Sequence, residues 1–410
     1  MVTKQATEKS SELAINIRRL EFLDKFLAKM AEDKICPSIE MIVMRRGVEI
    51  FNGVYGVASP GGPPMYPGMI ADWQSVTKVV TATMVMMLQE DGCFTLHDKV
   101  INYFPEFNGP HKDEVELWHL MCHTSGMSEE NCSEYQDDFL KKLLGDKYPN
   151  GHVSDEEYNS LINTARRGLG HTDEDIEKES AFDYLRRMSL GAPLRTAPRE
   201  RFCYFGTGYW MLMKLCERMT GEDFNSLTRR RIFEPLGMVD SHMVLPEEKW
   251  DRVLLRDDAF RAGPWLNSER NRVSYGGSSG LKTTSRDMIR FGLMCKNNGT
   301  LDGVRILSPA SVRAMTRDHN AEIPPEEWRR ALLGSNWTLG WNIHEGKFDD
   351  LGILRSFSTY DHMGFGGARL CIDPENDLVF TMYMVETSDE FVDKVVLIAK
   401  AANILYSALD

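Results

Sequence analysis

The residues best suited to chemistry are Ser75 and Lys78, one helical turn apart in Ser75-Val76-Thr77-Lys78. A serine hydroxyl is a poor nucleophile until a base takes its proton, and a lysine three residues on in a helix projects from the same face. The run from Ser75 to Gly92 reads as a helix apolar nearly all round, hence buried, with Gly92 as its C-terminal cap. A hydroxyl in its first turn lies at the positive end of the helix dipole, where an alkoxide and a developing oxyanion are favoured. Burial and the same dipole disfavour an ammonium, so Lys78 is expected to accept the serine proton without help from histidine.

The spacing alone is common by chance, and it occurs a second time in Ser279-Gly280-Leu281-Lys282. That copy lies in Tyr275-Gly276-Gly277-Ser278-Ser279-Gly280, a glycine-rich loop that cannot open a buried helix at its serine. His119 and His123 stand four apart in a predicted helix, a spacing used by zinc metalloproteases, but Leu120 sits where the general-base glutamate belongs. No metal site is expected, and His123 is read as a structural residue of the turn Thr124-Ser125-Gly126. With neither a P-loop nor a GxGxxG fingerprint, the chemistry reads as cofactor-free.

Positioning such a pair requires a scaffold, and the pattern suggests one. Residues 11–31 and 390–408 repeat apolar positions at helical spacing. Ile39 to Met44 and Val48 to Tyr55 are β-rich runs joined by Arg45-Arg46-Gly47; Ala368 to Ile372 and Leu378 to Val385 flank a turn at 373–377; a further strand is expected around Thr338 to Ile343. Hairpins at both ends imply an α+β fold whose antiparallel sheet is assembled from the two termini and flanked by helices. The middle, with charged helix formers at 154–169, 178–190 and 222–233, is expected to be an inserted, mostly helical domain. The boundaries expected are 1–110 with 270–410 for the sheet domain and 111–269 for the insertion.

Apolar residues at 42%, charged residues at 27% and a length of 410 fit a globular protein with a sizeable core. A net charge of −13 without a basic cluster argues against nucleic-acid partners, and no long apolar run or cleavable leader suggests a membrane. The eight cysteines lack CxxC pairing, which fits reduced thiols in a cytoplasmic protein. Neither a nucleic-acid nor a membrane partner is therefore expected, and the oligomeric state is left open.

Further segments follow in order: Leu120-Met121-Cys122-His123-Thr124-Ser125-Gly126-Met127, Tyr204-Phe205-Gly206-Thr207-Gly208-Tyr209, Gly277-Ser278-Ser279-Gly280-Leu281 and His362-Met363-Gly364. With Ser75-x-x-Lys78, this series resembles the class C β-lactamase and penicillin-binding-protein superfamily, which includes family VIII carboxylesterases, D-aminopeptidases and acyltransferases. The resemblance implies a β-lactamase/transpeptidase-like fold. It makes Tyr204 a second proton-handling group, a role that needs the lysine to stabilise any tyrosinate. It also implies an oxyanion hole from the backbone N–H groups of Ser75 and Phe365, with His362, Gly364 and Gly206 at the substrate.

Two departures from the family pattern bear on substrate. Gly206 stands where an asparagine contacts the amide side chain of β-lactams, and His362 where a lysine meets their carboxylate. Methionines near the motifs (Met84, Met86, Met121, Met127, Met211, Met213, Met363), with Trp73, Phe205, Trp210 and Phe365, suggest an adaptable apolar pocket, although core packing explains the helical ones equally well. The expected function is a serine hydrolase acting through an acyl-enzyme on a fairly apolar ester or amide. The alternatives are an acyltransferase, a β-lactamase, a D-aminopeptidase, or a silent binding protein with the same fold.

Overall fold

The computed structural model describes residues 1–149, 155–257, 263–324, 336–344, 351–385 and 391–410. Its strands are β1 (Ser38–Arg45), β2 (Val48–Gly56), β3 (Ala71–Asp72), β4 (Lys282–Thr283), β5 (Thr300–Leu301), β6 (Val304–Arg305), β7 (Asn342–Ile343), β8 (Tyr360–Gly364), β9 (Ala368–Asp373) and β10 (Leu378–Met384). The main sheet runs β2-β1-β10-β9-β8-β7, with antiparallel neighbours throughout. The two ends of the sequence therefore meet at β1 and β10, where Ile42 pairs with Thr381. Arg46 and Gly47, both at positive φ (49° and 76°), close the β1–β2 hairpin with the backbone twist a two-residue connection requires.

Helices cover this sheet. In Ile17–Glu32, Leu20, Leu23, Leu27 and Met30 form one buried stripe that packs with Met41, Val43 and Phe380 of the sheet and Leu405 of the Phe391–Tyr406 helix. Burial of each leucine contributes about 1.5–3 kcal/mol. The Ser285–Lys296 helix lies on β9 and β10, so close that a Cβ on Gly292 would sit 2.6 Å from Val379 Cγ1. Every residue of β10 is buried, which is why it reads as a continuous apolar run rather than an alternating one.

Contacts divide the chain into two compact units, one of Met1–Cys93 with Met211–Asp410 and the other of Phe94–Trp210. The boundaries expected near 110 and 270 thus move, for reasons visible in the backbone. Val100 N–H bonds to Val115 and Trp118 N–H to Leu96, which ties 94–110 to the helical unit. Ile70 N–H bonds to Arg252, Leu254 N–H to Ile70, and His242 exchanges bonds with Lys282, which ties 211–257 to the sheet unit. The helical unit packs Leu140, Ile162, Ala181, Tyr184 and Leu185 from Glu129–Leu144, Asp155–Gly168 and Ala181–Met188. Ser128 and Ser180 cap the first and third of these helices.

The strand expected at 338–343 is shorter than its pattern. Gly340 (φ 105°) and the Thr338 N–H bond to Trp341 bend 338–341 into a turn, leaving Asn342–Ile343 to pair with β8. Among the described residues, no helix is long and apolar enough to cross a membrane.

Candidate active site

Ser75 does not open an α-helix directly. It lies in a 3-10 turn, Gln74–Val76, that leads into the helix Thr77–Glu90. The turn is set by Gln74, a non-glycine residue at φ 44°, a conformation that persists only where its surroundings hold it. Here Gln74 N–H donates to Asp72 Oδ1 at 2.8 Å, Trp73 N–H to the Leu281 carbonyl at 2.8 Å, and Thr77 Oγ1 to the Gln74 carbonyl at 2.6 Å. The serine remains partly exposed at the head of a buried helix.

Lys78 is 2% exposed, with Nζ 3.1 Å from Ser75 Oγ and donating to the Ser278 carbonyl at 3.0 Å. One turn on, buried Thr81 donates to the Gly277 carbonyl at 2.7 Å, while Leu281 N–H donates to Thr77 Oγ1 at 3.0 Å. The loop that holds the second Ser-x-x-Lys copy is therefore the support of the first: it supplies the Ser278 carbonyl that orients the lysine and the Gly277 carbonyl that holds Thr81. Gly280 (φ 101°) is required there, because a Cβ would lie 2.6 Å from Tyr275 Cα. Lys282 ends that loop in β4, opposite Asp72, and donates to the Ser274 and Met243 carbonyls. Burial pushes its ammonium down to about 8.

The end of β8 reaches the same turn. A Cβ on Gly364 would lie 2.1 Å from the Trp73 carbonyl oxygen, so only glycine lets the strand approach the turn before Ser75 this closely. Beyond it Phe365, 36% exposed, and Gly366 form the tip of the β8–β9 hairpin, closed by Gly367 N–H on the Gly364 carbonyl at 3.1 Å. His362 is 1% exposed, with Nδ1 2.8 Å from the Met363 carbonyl and its ring edge-on to Trp337.

Tyr204 and Gly206 belong to the helical unit. Its organiser is His123, at φ 59°, whose ring stacks at 4.4 Å on Tyr204, whose carbonyl accepts from Cys203 N–H at 2.8 Å and whose Nδ1 accepts from Phe205 N–H at 3.3 Å. It anchors the 203–205 segment from both sides. Gly206 N–H donates to Glu129 Oε2 at 3.0 Å. The helix expected to carry both histidines ends at Met121, and His123 follows in the left-handed turn, so the i,i+4 geometry of a zinc pair is not formed. Among the described residues, no cluster of three or more His, Cys, Asp or Glu could hold a metal.

Matched against models of known protein families, residues 23–403 fit the one described as Beta-lactamase. This chain belongs to the beta-lactamase family. Penicillin-binding protein 4 of Amycolatopsis lactamdurans is 27% identical over 284 residues, 66% of this chain and 61% of that protein, so the match spans less than two thirds of that relative. The esterase/beta-lactamase LipL of Mycobacterium tuberculosis is 22% identical over 340 residues, 75% of this chain and 67% of that one. A solved penicillin-binding protein homolog from Caulobacter crescentus shares the fold, with a TM-score of 0.69 at 18% identity over 95% of this chain and 98% of that one.

Several residues around this candidate site are not singled out by the sequence: Asp72, Thr77, Thr81 and the Ser278 carbonyl. The signal available was the buried polar side chains Thr77, Lys78, Thr81 and Thr83 in a helix otherwise apolar as far as Leu88, since buried polar groups need partners. The methionine pocket is corrected. Met84, Met86, Met121, Met127, Met211 and Met213 are buried core residues, as are Trp73, Phe205 and Trp210, which leaves Phe365 as the exposed member of the group and Met363 half-buried.

Proposed function

We propose that the protein is a serine hydrolase that forms an acyl-enzyme on Ser75 with an ester or amide of a small, fairly apolar molecule. The observation that carries this reading is the contact between Lys78 Nζ and Ser75 Oγ at 3.1 Å, with the lysine buried and held by the Ser278 carbonyl. Ser75 Oγ attacks the acyl carbonyl while its proton passes to Lys78, and the bond to the leaving group breaks as the tetrahedral adduct collapses. The developing oxyanion is assigned to the N–H groups of Ser75 and Phe365, and water then releases the acyl group. Tyr204 is assigned the proton for the leaving group on its motif alone.

Support for an apolar ester over a β-lactam comes from Gly206, from the packed His362 and from the exposed ring of Phe365. The test has two readouts. Intact-protein mass spectrometry after a fluorophosphonate should give one adduct, absent in Ser75→Ala; an adduct that persists in Ser75→Ala moves the nucleophile elsewhere. Kinetics on a chromogenic cephalosporin, short and medium p-nitrophenyl esters and a D-amino-acid amide should then favour an ester. A cephalosporin with kcat/KM well above the best ester reverses the substrate assignment.

A further inference from the structure

An arginine outside every motif contacts the hairpin tip that carries Phe365. Arg256 is 4% exposed, and its Nη1 donates to the Gly366 carbonyl at 2.8 Å. Its Nη2 donates to the Tyr383 hydroxyl, and its guanidinium carbon lies 5.6 Å from the centre of that ring. Tyr383 in turn packs its ring against Trp73, 5.9 Å between centres. Trp73 is the residue whose carbonyl Gly364 approaches, and it stands two before Ser75.

These contacts close a ring of neighbours: Arg256, Gly366, the Gly364–Gly367 turn, Trp73, Tyr383 and back to Arg256. Both ends of the oxyanion hole, the turn before Ser75 and the turn of Phe365, are members of it. Gly366 is matched to the arginine. It sits at φ 91°, and a Cβ there would lie 2.8 Å from the guanidinium nitrogens. The arginine is itself fixed, since its N–H donates to Asn267 Oδ1 and its carbonyl accepts from Asn267 Nδ2, each at 2.9 Å.

Resting on the acyl-enzyme reading above, we infer that Arg256 is a positioning residue for the oxyanion hole, setting the Phe365 N–H by pinning the Gly366 carbonyl against the Tyr383–Trp73 pair. A guanidinium suits this task better than an ammonium, because its planar fork serves the carbonyl and the phenol together. Catalysis depends on such placement, since donors aimed at the oxyanion act in the transition state more than in substrate binding.

The experiment uses the full chain and the best p-nitrophenyl ester, comparing wild type with Arg256→Ala, Arg256→Lys and Tyr383→Phe. Loss of one oxyanion donor lowers kcat by about 10²–10³-fold, so misplacing one by Arg256→Ala should lower kcat by roughly 10–100-fold while KM changes less than about threefold. The rate of Ser75 phosphonylation should fall in parallel, and added guanidinium ion should restore part of kcat to Arg256→Ala. Should Arg256→Ala fail to fold, Tyr383→Phe, which loses one hydroxyl, should still lower kcat several-fold with KM retained. Wild-type kcat in both Arg256→Lys and Tyr383→Phe, or a loss confined to KM, overturns the inference while the Ser75 adduct on wild type stands. No adduct on wild-type Ser75 overturns the acyl-enzyme reading and this inference with it.

Discussion

At the scale of single residues, the proton-transfer groups and their supports should separate in kinetics. Lys78→Ala and Tyr204→Phe should each lower kcat by about 10²–10⁴-fold with little change in KM, as expected of groups acting in the transition state. Wild-type kcat in Tyr204→Phe would reduce that residue to packing. Thr81→Val tests support instead. It keeps the side-chain shape but leaves the Gly277 carbonyl without its 2.7 Å donor in a buried site, at a cost of about 1–3 kcal/mol. Urea unfolding should show that loss, with a smaller drop in kcat than Lys78→Ala gives. A variant as stable as wild type would show that water replaces the hydroxyl.

At the scale of elements, what matters is how closely β8 and the Gln74–Val76 turn approach. The clash that Gly364→Ala creates is with the backbone of Trp73, at 2.1 Å from its carbonyl oxygen, so no side-chain rotation relieves it. The strand end must move away from the Gln74–Val76 turn, or the turn must deform. Overpacking of this kind costs about 1–3 kcal/mol. The expected outcome is a lowered melting temperature together with a fall of at least about tenfold in kcat/KM for ester hydrolysis. Wild-type kinetics in Gly364→Ala would show that the site tolerates a displaced strand.

At the scale of the whole molecule, acid should destabilise the protein before its carboxylates titrate. Burial holds the His119 imidazole well below its ordinary value, to about 4, and burial with the Lys249 ammonium nearby does the same to His242. Both are neutral in the native state. In the unfolded chain each takes a proton near pH 6.5, so the unfolded state binds more protons between pH 6.5 and 4 and stability falls as pH drops through that window. Below it, Glu116 and Asp240 extend the loss. Lys99 and His97 hydrogen bonds keep Glu116 at about 2 against its desolvation, and the Arg252 guanidinium keeps Asp240 there. Melting temperature against pH should decline from about 6.5 downward, and His242→Gln should flatten part of the slope between 6.5 and 4. A slope in His242→Gln equal to that of wild type would show that the His242 imidazole is protonated in the folded state as it is in the unfolded chain.

The sequence by itself singled out Ser75 and Lys78 as the candidate pair and determined the helix that follows them, the hairpins at both ends and the family, because each is written in local spacing and residue type. Ser75 and Lys78 are three positions apart, and Arg46-Gly47 closes β1 on β2 whatever else the chain does. Tertiary structure decided what holds the pair. The carbonyl that orients Lys78 lies 200 residues away, at Ser278, and a backbone oxygen carries no residue-type signature in a sequence. Arg256 is equally silent, since its role arises from a buried contact 110 residues distant with a glycine carbonyl. The methionines differ in kind. Their composition fits a pocket and a core alike, and burial, which depends on how all the elements close on one another, made most of them core.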